Sequence, residues 1–232
     1  MKILDRIIQS SPEWWAARRG RVTASAFDRI LTSVTAKPSA QQDDYIAELI
    51  ADVIFQGPNY FSASLLNKPP NRAMQEVVSR EPEARRFVAH DLDCTVQQVG
   101  LIVHDNGILS ASPDGLIVNA SGELEAGLEL KNPLLATHTR YLMKPEALLN
   151  DYRPQVQGCL LISGLPQWEL YSYCPPLKAV RITVKPDEYT ARLHDALILF
   201  VGRYDEAMKN VLGYGLATML QRLHPSDDYT NA

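Results

Sequence analysis

The 232-residue chain predicts a single α/β or α+β domain: a central mixed sheet flanked by helices. Three observations carry this. The first third repeats apolar residues at helical spacing. From about residue 93 the pattern shifts to short β-branched or aromatic runs broken by Gly, Pro and Asn. From residue 186 a long helical period returns. The boundaries read as a helical N-terminal part over about 1–92, a sheet core over about 93–185 and C-terminal helices over about 186–224, all within one 1–232 domain.

Each element has a local reason. Ser11-Pro12-Glu13 supplies a cap and a first-turn proline for a helix through "WWAARR". "TASAFDRILT" sets Ala24, Phe27, Ile30 and Leu31 on one face, with Thr23 as N-cap. "QQDDYIAELIADVIF" aligns Tyr45, Ile46, Leu49, Ile50 and Val53 and stops before Gly57-Pro58. "NRAMQEVVSREPEARRFVAH" reads as a further helix bent at Pro82. Strands follow in "TVQQVGLIVH", "ILSASPDGLIVN", "LEAGLELKNP", "QWELYSYC" and "KAVRITVKP". Between them, "DYRPQVQGCLLISG" is helical, with Val156, Leu160 and Leu161 inward. "PDEYTARLHDALILFVGRYDEAMKNVL" closes the fold, and "HPSDDYTNA" is expected to fray.

Composition narrows the function classes. Three cysteines, Cys94, Cys159 and Cys174, with no CxxC pair, argue against a disulfide framework or a Cys-rich zinc site, so a reduced, cytoplasmic protein is expected. No apolar run reaches the roughly 18 residues of a membrane span, and no secretory leader is legible in "MKILDRIIQSS". The net charge of −4 weighs against coating DNA by bulk attraction. Residues 1–40 are nonetheless basic: Lys2, Arg6, Arg18, Arg19, Arg21, Arg29 and Lys37 face only Asp5, Glu13 and Asp28.

The chemistry concentrates in "LSASPDGLIVNASGELEAGLELKNP". Glu129 and Lys131 lie two apart, so on a strand they share a face while Leu130 points away. A hairpin turning through "ASGELEAG" would bring Asp114 to Glu129. Two close carboxylates repel unless a cation lies between them. Oxygen ligands without His or Cys select Mg²⁺ or Mn²⁺ over zinc, and Lys131 could orient a water and stabilise charge developing on a phosphate. The same residues also serve as ordinary hairpin decoration, although a proline-set turn at Ser112-Pro113-Asp114-Gly115 is an unusual way to build one.

"SPDGL" followed by "LELKNP" resembles the phage lambda exonuclease and YqaJ-type recombinase family of PD-(D/E)XK nucleases. "WWAARRGRVTASAF", "EPEARRF" and "QVQG" resemble the family's opening, acidic helix and glutamine helix, in family order over residues 12–160. The resemblance implies a PD-(D/E)XK restriction-endonuclease-like core and a metal-dependent 5′→3′ exonuclease. Such an enzyme digests one strand of double-stranded DNA and leaves a 3′ overhang for a single-strand annealing protein. It further implies two Mg²⁺ ions, with Mn²⁺ as substitute, a homotrimeric ring on DNA ends, and no membrane partner. Residue by residue, Asp114, Glu129, the Leu130 carbonyl and Glu81 would bind metal, with Lys131 catalytic and Glu76 and Glu83 as alternatives to Glu81. Arg18, Ser25, Ser112 and Arg140 would grip a 5′-phosphate, and Gln157, Trp14 and Met74 would lie near the site. An endonuclease on the same core and a non-catalytic DNA-binding subunit are the competing readings.

Overall fold

The structure, a computed structural model, describes residues 1–55 and 80–225. Met74 and Glu76 lie outside these residues, as does most of the helix expected before Glu81.

The described residues form two sheets. One orders β1 (Lys2–Leu4), β4 (Leu101–Val103), β5 (Leu109–Ala111) and β2 (Val22–Thr23). The other orders β3 (Thr95–Gln97), β6 (Gly115–Val118), β7 (Leu124–Lys131), β8 (Trp168–Ser172) and β9 (Val180–Val184). The N-terminal part, expected helical, therefore also supplies two strands. They are too short for an alternating pattern to stand out, and their partners lie about a hundred residues away. "TVQQVGLIVH" and "ILSASPDGLIVN" each divide between the two sheets. The chain crosses at Gln98–Gly100 and again at Ser112–Asp114. The turn at "SPDG" is thus a sheet-to-sheet crossing. The β6–β7 hairpin turns earlier than expected, at Asn119–Glu123, where the Asn119 side chain accepts from Ser121 and Glu123 backbone N–H groups.

Seven α-helices accompany the sheets among the described residues: α1 (Pro12–Arg18), α2 (Gln42–Ile54), α3 (Glu81–Asp91), α4 (Leu135–Met143), α5 (Glu146–Ser163), α6 (Glu188–Leu212) and α7 (Leu216–Leu223). Ser11 caps α1 by accepting from Trp14 N–H, as its sequence predicts. "ASAFDR" forms a 3-10 helix over Ala24–Arg29 instead of an α-helix, and Thr23 makes no capping bond because its hydroxyl faces Arg18. Pro82 lies in the first turn of α3, where a missing N–H costs no helical bond. Asp187 caps α6 through a reciprocal pair with Thr190.

Side-chain alternation on β7 divides the core. Leu128 and Leu130 face α3, packing with Ala84, Val88, Ile117 and Tyr171. The opposite face meets α5, which packs against both sheets, the 3-10 helix and α6. The close approach of α5 requires Gly158: a Cβ there would stand 2.3 Å from the Phe27 ring. Gly158→Ala is expected to lower stability by roughly 1–3 kcal/mol through overpacking. A urea denaturation midpoint equal to wild type would contradict this.

Candidate active site

The site grows from the second crossing. Asp114 stands one residue before β6, and its N–H already joins the ladder by donating to the Leu128 carbonyl at 3.0 Å. Its carboxylate accepts from Leu130 N–H at 2.6 Å. N–H and C=O of one strand residue leave on the same edge, so the Leu130 carbonyl also faces the Asp114 side, just past the start of β6.

On the α5 face of β7, Glu129 is buried, 3% exposed. One of its oxygens accepts from Lys131 Nζ at 2.7 Å and from Gln155 Nε2 at 2.7 Å. Gln155 Oε1 in turn accepts from Lys131 Nζ at 3.1 Å, and the Tyr152 ring lies 4.3 Å from the ammonium. The other Glu129 oxygen, Oε2, is buried without a hydrogen-bond partner among the described residues. Leaving a carboxylate oxygen so costs stability, and a cation would relieve it.

Electrostatics agrees. Burial, then Glu129, push the Asp114 carboxyl well above the usual range, against the Leu130 N–H and Lys131; Glu81 adds to the rise. Burial works against the charge of Lys131, but Glu129 outweighs it and the ammonium is held more firmly than usual. Among the described residues no three Asp, Glu, His or Cys side chains converge on one point. The oxygens available to a cation here would be the Asp114 and Glu129 carboxylates and the Leu130 carbonyl. That fits Mg²⁺ or Mn²⁺, which accept few protein ligands and keep several waters.

The remaining expected residues fall in three groups. Glu81 reaches the edge of the site, where it pairs with Arg85; the Arg85 Nε donates to the Asp114 carbonyl at 2.9 Å. Both acids line a cleft of about 380 Å³ that also includes Gln9 and Gln98. Glu83 instead accepts from Tyr173 OH at 2.8 Å and is no substitute for Glu81.

Arg18, Ser25, Ser112 and Trp14 come together. Arg18 donates to Ser112 Oγ at 2.9 Å and to Thr23 Oγ1 at 3.4 Å, and its guanidinium lies 4.2 Å from the Trp14 ring. Trp14 Nε1 also donates to Ser112, and Ser25 Oγ sits 3.3 Å from Thr23 Oγ1. Burial pulls the Arg18 pKa down to about 10, against Tyr45 and Asp52. Arg18 and Ser25 line a cleft of about 240 Å³ with Trp15, Arg29 and Tyr45.

Gln157 and Arg140 correct two expectations. Gln157 donates to the Lys185 carbonyl and accepts from Thr190, well removed from Lys131, because two residues along a helix rotate a side chain to the opposite face. Gln155 takes the place expected for it. Arg140 pairs with Asp151 and stacks 4.9 Å from Tyr141 on an exposed surface, away from the Arg18 cluster. Sequence reasoning also missed Thr23, Arg85 and Tyr152. Tyr152 lies three residues before Gln155, a spacing that shares a helix face, but only a known register for α5 would have selected it.

A sheet carrying Asp114 at one strand start and Glu129-Leu130-Lys131 at the next strand end defines the PD-(D/E)XK class. The chain belongs to the YqaJ-like viral recombinase domain family, whose model matches residues 13–166. Among solved structures it is similar to an alkaline exonuclease, LHK-Exo, from Laribacter hongkongensis, at 26% identity over 86% of this chain and 97% of that one, TM-score 0.61. LHK-Exo in complex with dAMP matches at 27% identity over the same shares, TM-score 0.62. A phage related exonuclease from Haemophilus somnus 129PT shares the fold at 13% identity over 82% and 96%, TM-score 0.60. A search of curated proteins finds no match.

Asp114 separates stability from function. Its folded-state pKa lies above the unfolded value, so the folded chain holds the proton more tightly and stability declines as pH rises through that interval. Without divalent cations, Asp114→Asn removes the penalised charge. It should melt at or above wild type at pH 8, with the difference shrinking at pH 4. A melting temperature several degrees below wild type at pH 8 in EDTA would count against this account.

Proposed function

We propose that this chain is a metal-dependent 5′→3′ exonuclease that degrades one strand of double-stranded DNA and leaves a 3′ single-stranded overhang for recombination by strand annealing. The observation that carries the reading is the spacing of Ser112 and Asp114. Only Pro113 separates the hydroxyl that meets Arg18 from the carboxylate that meets Leu130. A grip for a terminal phosphate beside a hydrolytic centre is what removal of nucleotides from a strand end requires. An endonuclease has no use for it. The exonuclease relatives support the same activity.

In this reading Asp114, Glu129 and the Leu130 carbonyl hold Mg²⁺ or Mn²⁺, two ions in all, with Glu81 completing the site from its edge. The metal, when bound, would polarise the scissile phosphoryl group and acidify a water. The chain's own residues do the rest. Lys131, fixed by Glu129 and Gln155, presents a permanent positive charge to the oxygens that become more negative in the transition state. Gln155 keeps both partners in register. Arg18 offers a planar fork, and Ser112 and Ser25 offer hydroxyls, to a terminal phosphate, which carries more charge and more acceptors than an internal diester. The family resemblance adds a homotrimeric ring around duplex DNA and an annealing protein that receives the overhang. Sedimentation with duplex present tests the ring.

Lys131→Ala should reduce cleavage of linear duplex by about a hundredfold or more while DNA binding persists, because the lost interaction belongs to the transition state. A variant within tenfold of wild type would remove Lys131 from catalysis, and full activity in EDTA would remove the metal.

End recognition is tested separately. Wild type should digest 5′-phosphorylated duplex faster than 5′-hydroxyl duplex. Arg18→Ala should erase most of that ratio, and Arg18→Lys should restore it partly, since a point charge lacks the fork. A wild-type ratio near one, or rapid cutting of closed circles, would replace the exonuclease with an endonuclease.

A further inference from the structure

The family match ends at residue 166, yet the loop that carries Arg18 is held by side chains well beyond it. Helix α1 ends at Arg18, and the chain turns through Arg19, Gly20 and Arg21 into β2. Both backbone polar groups of Gly20 are engaged. Its N–H donates to buried Asp52 at 3.1 Å, and its carbonyl accepts from Tyr204 OH on α6 at 3.1 Å. The Arg19 carbonyl accepts from His224 Nε2 at 3.0 Å, just past α7. A carbonyl can only accept, so that ring nitrogen carries the proton.

Packing closes the same loop. Gly20 has φ +70°, and a Cβ there would lie 2.6 Å from Met219 Sδ on α7 and 2.9 Å from Val53 on α2. Tyr204 and Met219 are wholly buried, and His224 is 6% exposed. His224 was expected to fray with the tail; it is instead docked, its ring donating to the Arg19 carbonyl just past the end of α1. On the far side of the loop, the fully buried Arg21 donates through Nε to the Gly107 carbonyl at 2.9 Å. Two consecutive carbonyls are thus tied to the C-terminal helices immediately after the residue that reaches Ser112.

We propose that Tyr204 and His224 are positioning residues for the phosphate grip, so that the C-terminal helices outside the family match set strand-end preference through the Arg19-Gly20 loop. This rests on the reading of Arg18 given above. The guanidinium can meet Ser112 and stack on Trp14 only if α1 ends at a fixed height and the chain leaves it in a fixed direction. Two carbonyl tethers define both. A displacement of about 1 Å is enough to lose a charge-assisted hydrogen bond to a terminal phosphate, while Glu129 and Lys131 on β7, and Asp114 bonded to β7, are held by the sheet pairing instead.

The test uses the full chain and two linear duplexes, with 5′-phosphoryl and 5′-hydroxyl ends, and compares Tyr204→Phe, His224→Phe and His224→Gln with wild type. Tyr204→Phe keeps the ring packing and removes one hydroxyl. His224→Phe keeps bulk and removes the donor, and His224→Gln keeps an N–H. Melting temperatures are recorded alongside. The phosphoryl-to-hydroxyl ratio of kcat/KM should fall about fivefold or more in both Phe variants, mainly through KM for the phosphorylated end. His224→Gln should recover most of it. A ratio equal to wild type in folded Phe variants overturns the proposal. So does an equal loss on both ends that tracks the melting temperature, since that is the behaviour of a purely structural contact. A wild-type ratio near one would instead overturn the phosphate grip itself, which Arg18→Ala reports independently.

Discussion

The bond from Leu130 N–H to the Asp114 carboxylate is the contact on which the rest of the site depends. It spans the gap where the chain leaves the four-stranded sheet and enters the five-stranded one. Because the ladder has already paired Asp114 N–H with the Leu128 carbonyl, the register of β6 on β7 leaves that carboxylate little freedom. Shifting the register by one residue would turn Glu129 and Lys131 toward the Ala84–Val88 core and Leu130 toward α5. The apolar packing on the α3 face therefore holds the polar face in place.

On that polar face, charge is arranged to be completed. Glu129 uses one oxygen for Lys131 and Gln155 and leaves the other buried without a partner, while Asp114 is kept reluctant to ionise by burial and by Glu129. An apolar pair would pack better at both positions. In the proposed reading, the acids offer a site whose electrostatic cost would fall on binding a divalent cation, a compromise between stability and activity. Arg85 borders the same acids by pairing with Glu81 and donating to the Asp114 backbone carbonyl.

The two halves of the proposed chemistry belong to different layers. Arg18, Thr23 and Ser25 lie at or beside β2 of the first sheet, and the loop between Arg18 and Thr23 is tied to Tyr204 and His224. Glu129 and Lys131 lie in the second sheet against Gln155 of α5, and Asp114 stands just before β6, where Arg85 of α3 reaches its carbonyl. Ser112-Pro113-Asp114 joins them, and Gln9 Nε2 donates to the Pro113 carbonyl at 2.7 Å and to the Val99 carbonyl at 3.1 Å, tying both crossings together. In the proposed reading, motion of one sheet against the other would change the distance from strand end to scissile bond, and these bonds would oppose it.

By itself the sequence determined the fold class, the strand carrying Glu129, Leu130 and Lys131, the cap at Ser11 and the proline-set turn before Asp114, while Arg18 entered only through the family resemblance. All but Arg18 rest on local physics: alternation along a strand, periodicity along a helix, a proline before an acid. The tertiary structure alone decided which glutamine faces Lys131, because helix pitch allows Gln155 or Gln157 and only the seating of α5 against Phe27 through Gly158 selects between them. It also decided that Arg140 serves Asp151, that Glu83 serves Tyr173, and that "SPDG" is a crossing between sheets and not a hairpin turn. The two N-terminal strands and the docking of His224 onto Arg19 were equally invisible, since each is a pairing over about a hundred residues or more. Pairings of that kind leave no period in a sequence: their partners are chosen by how the layers stack, after every local preference has been satisfied.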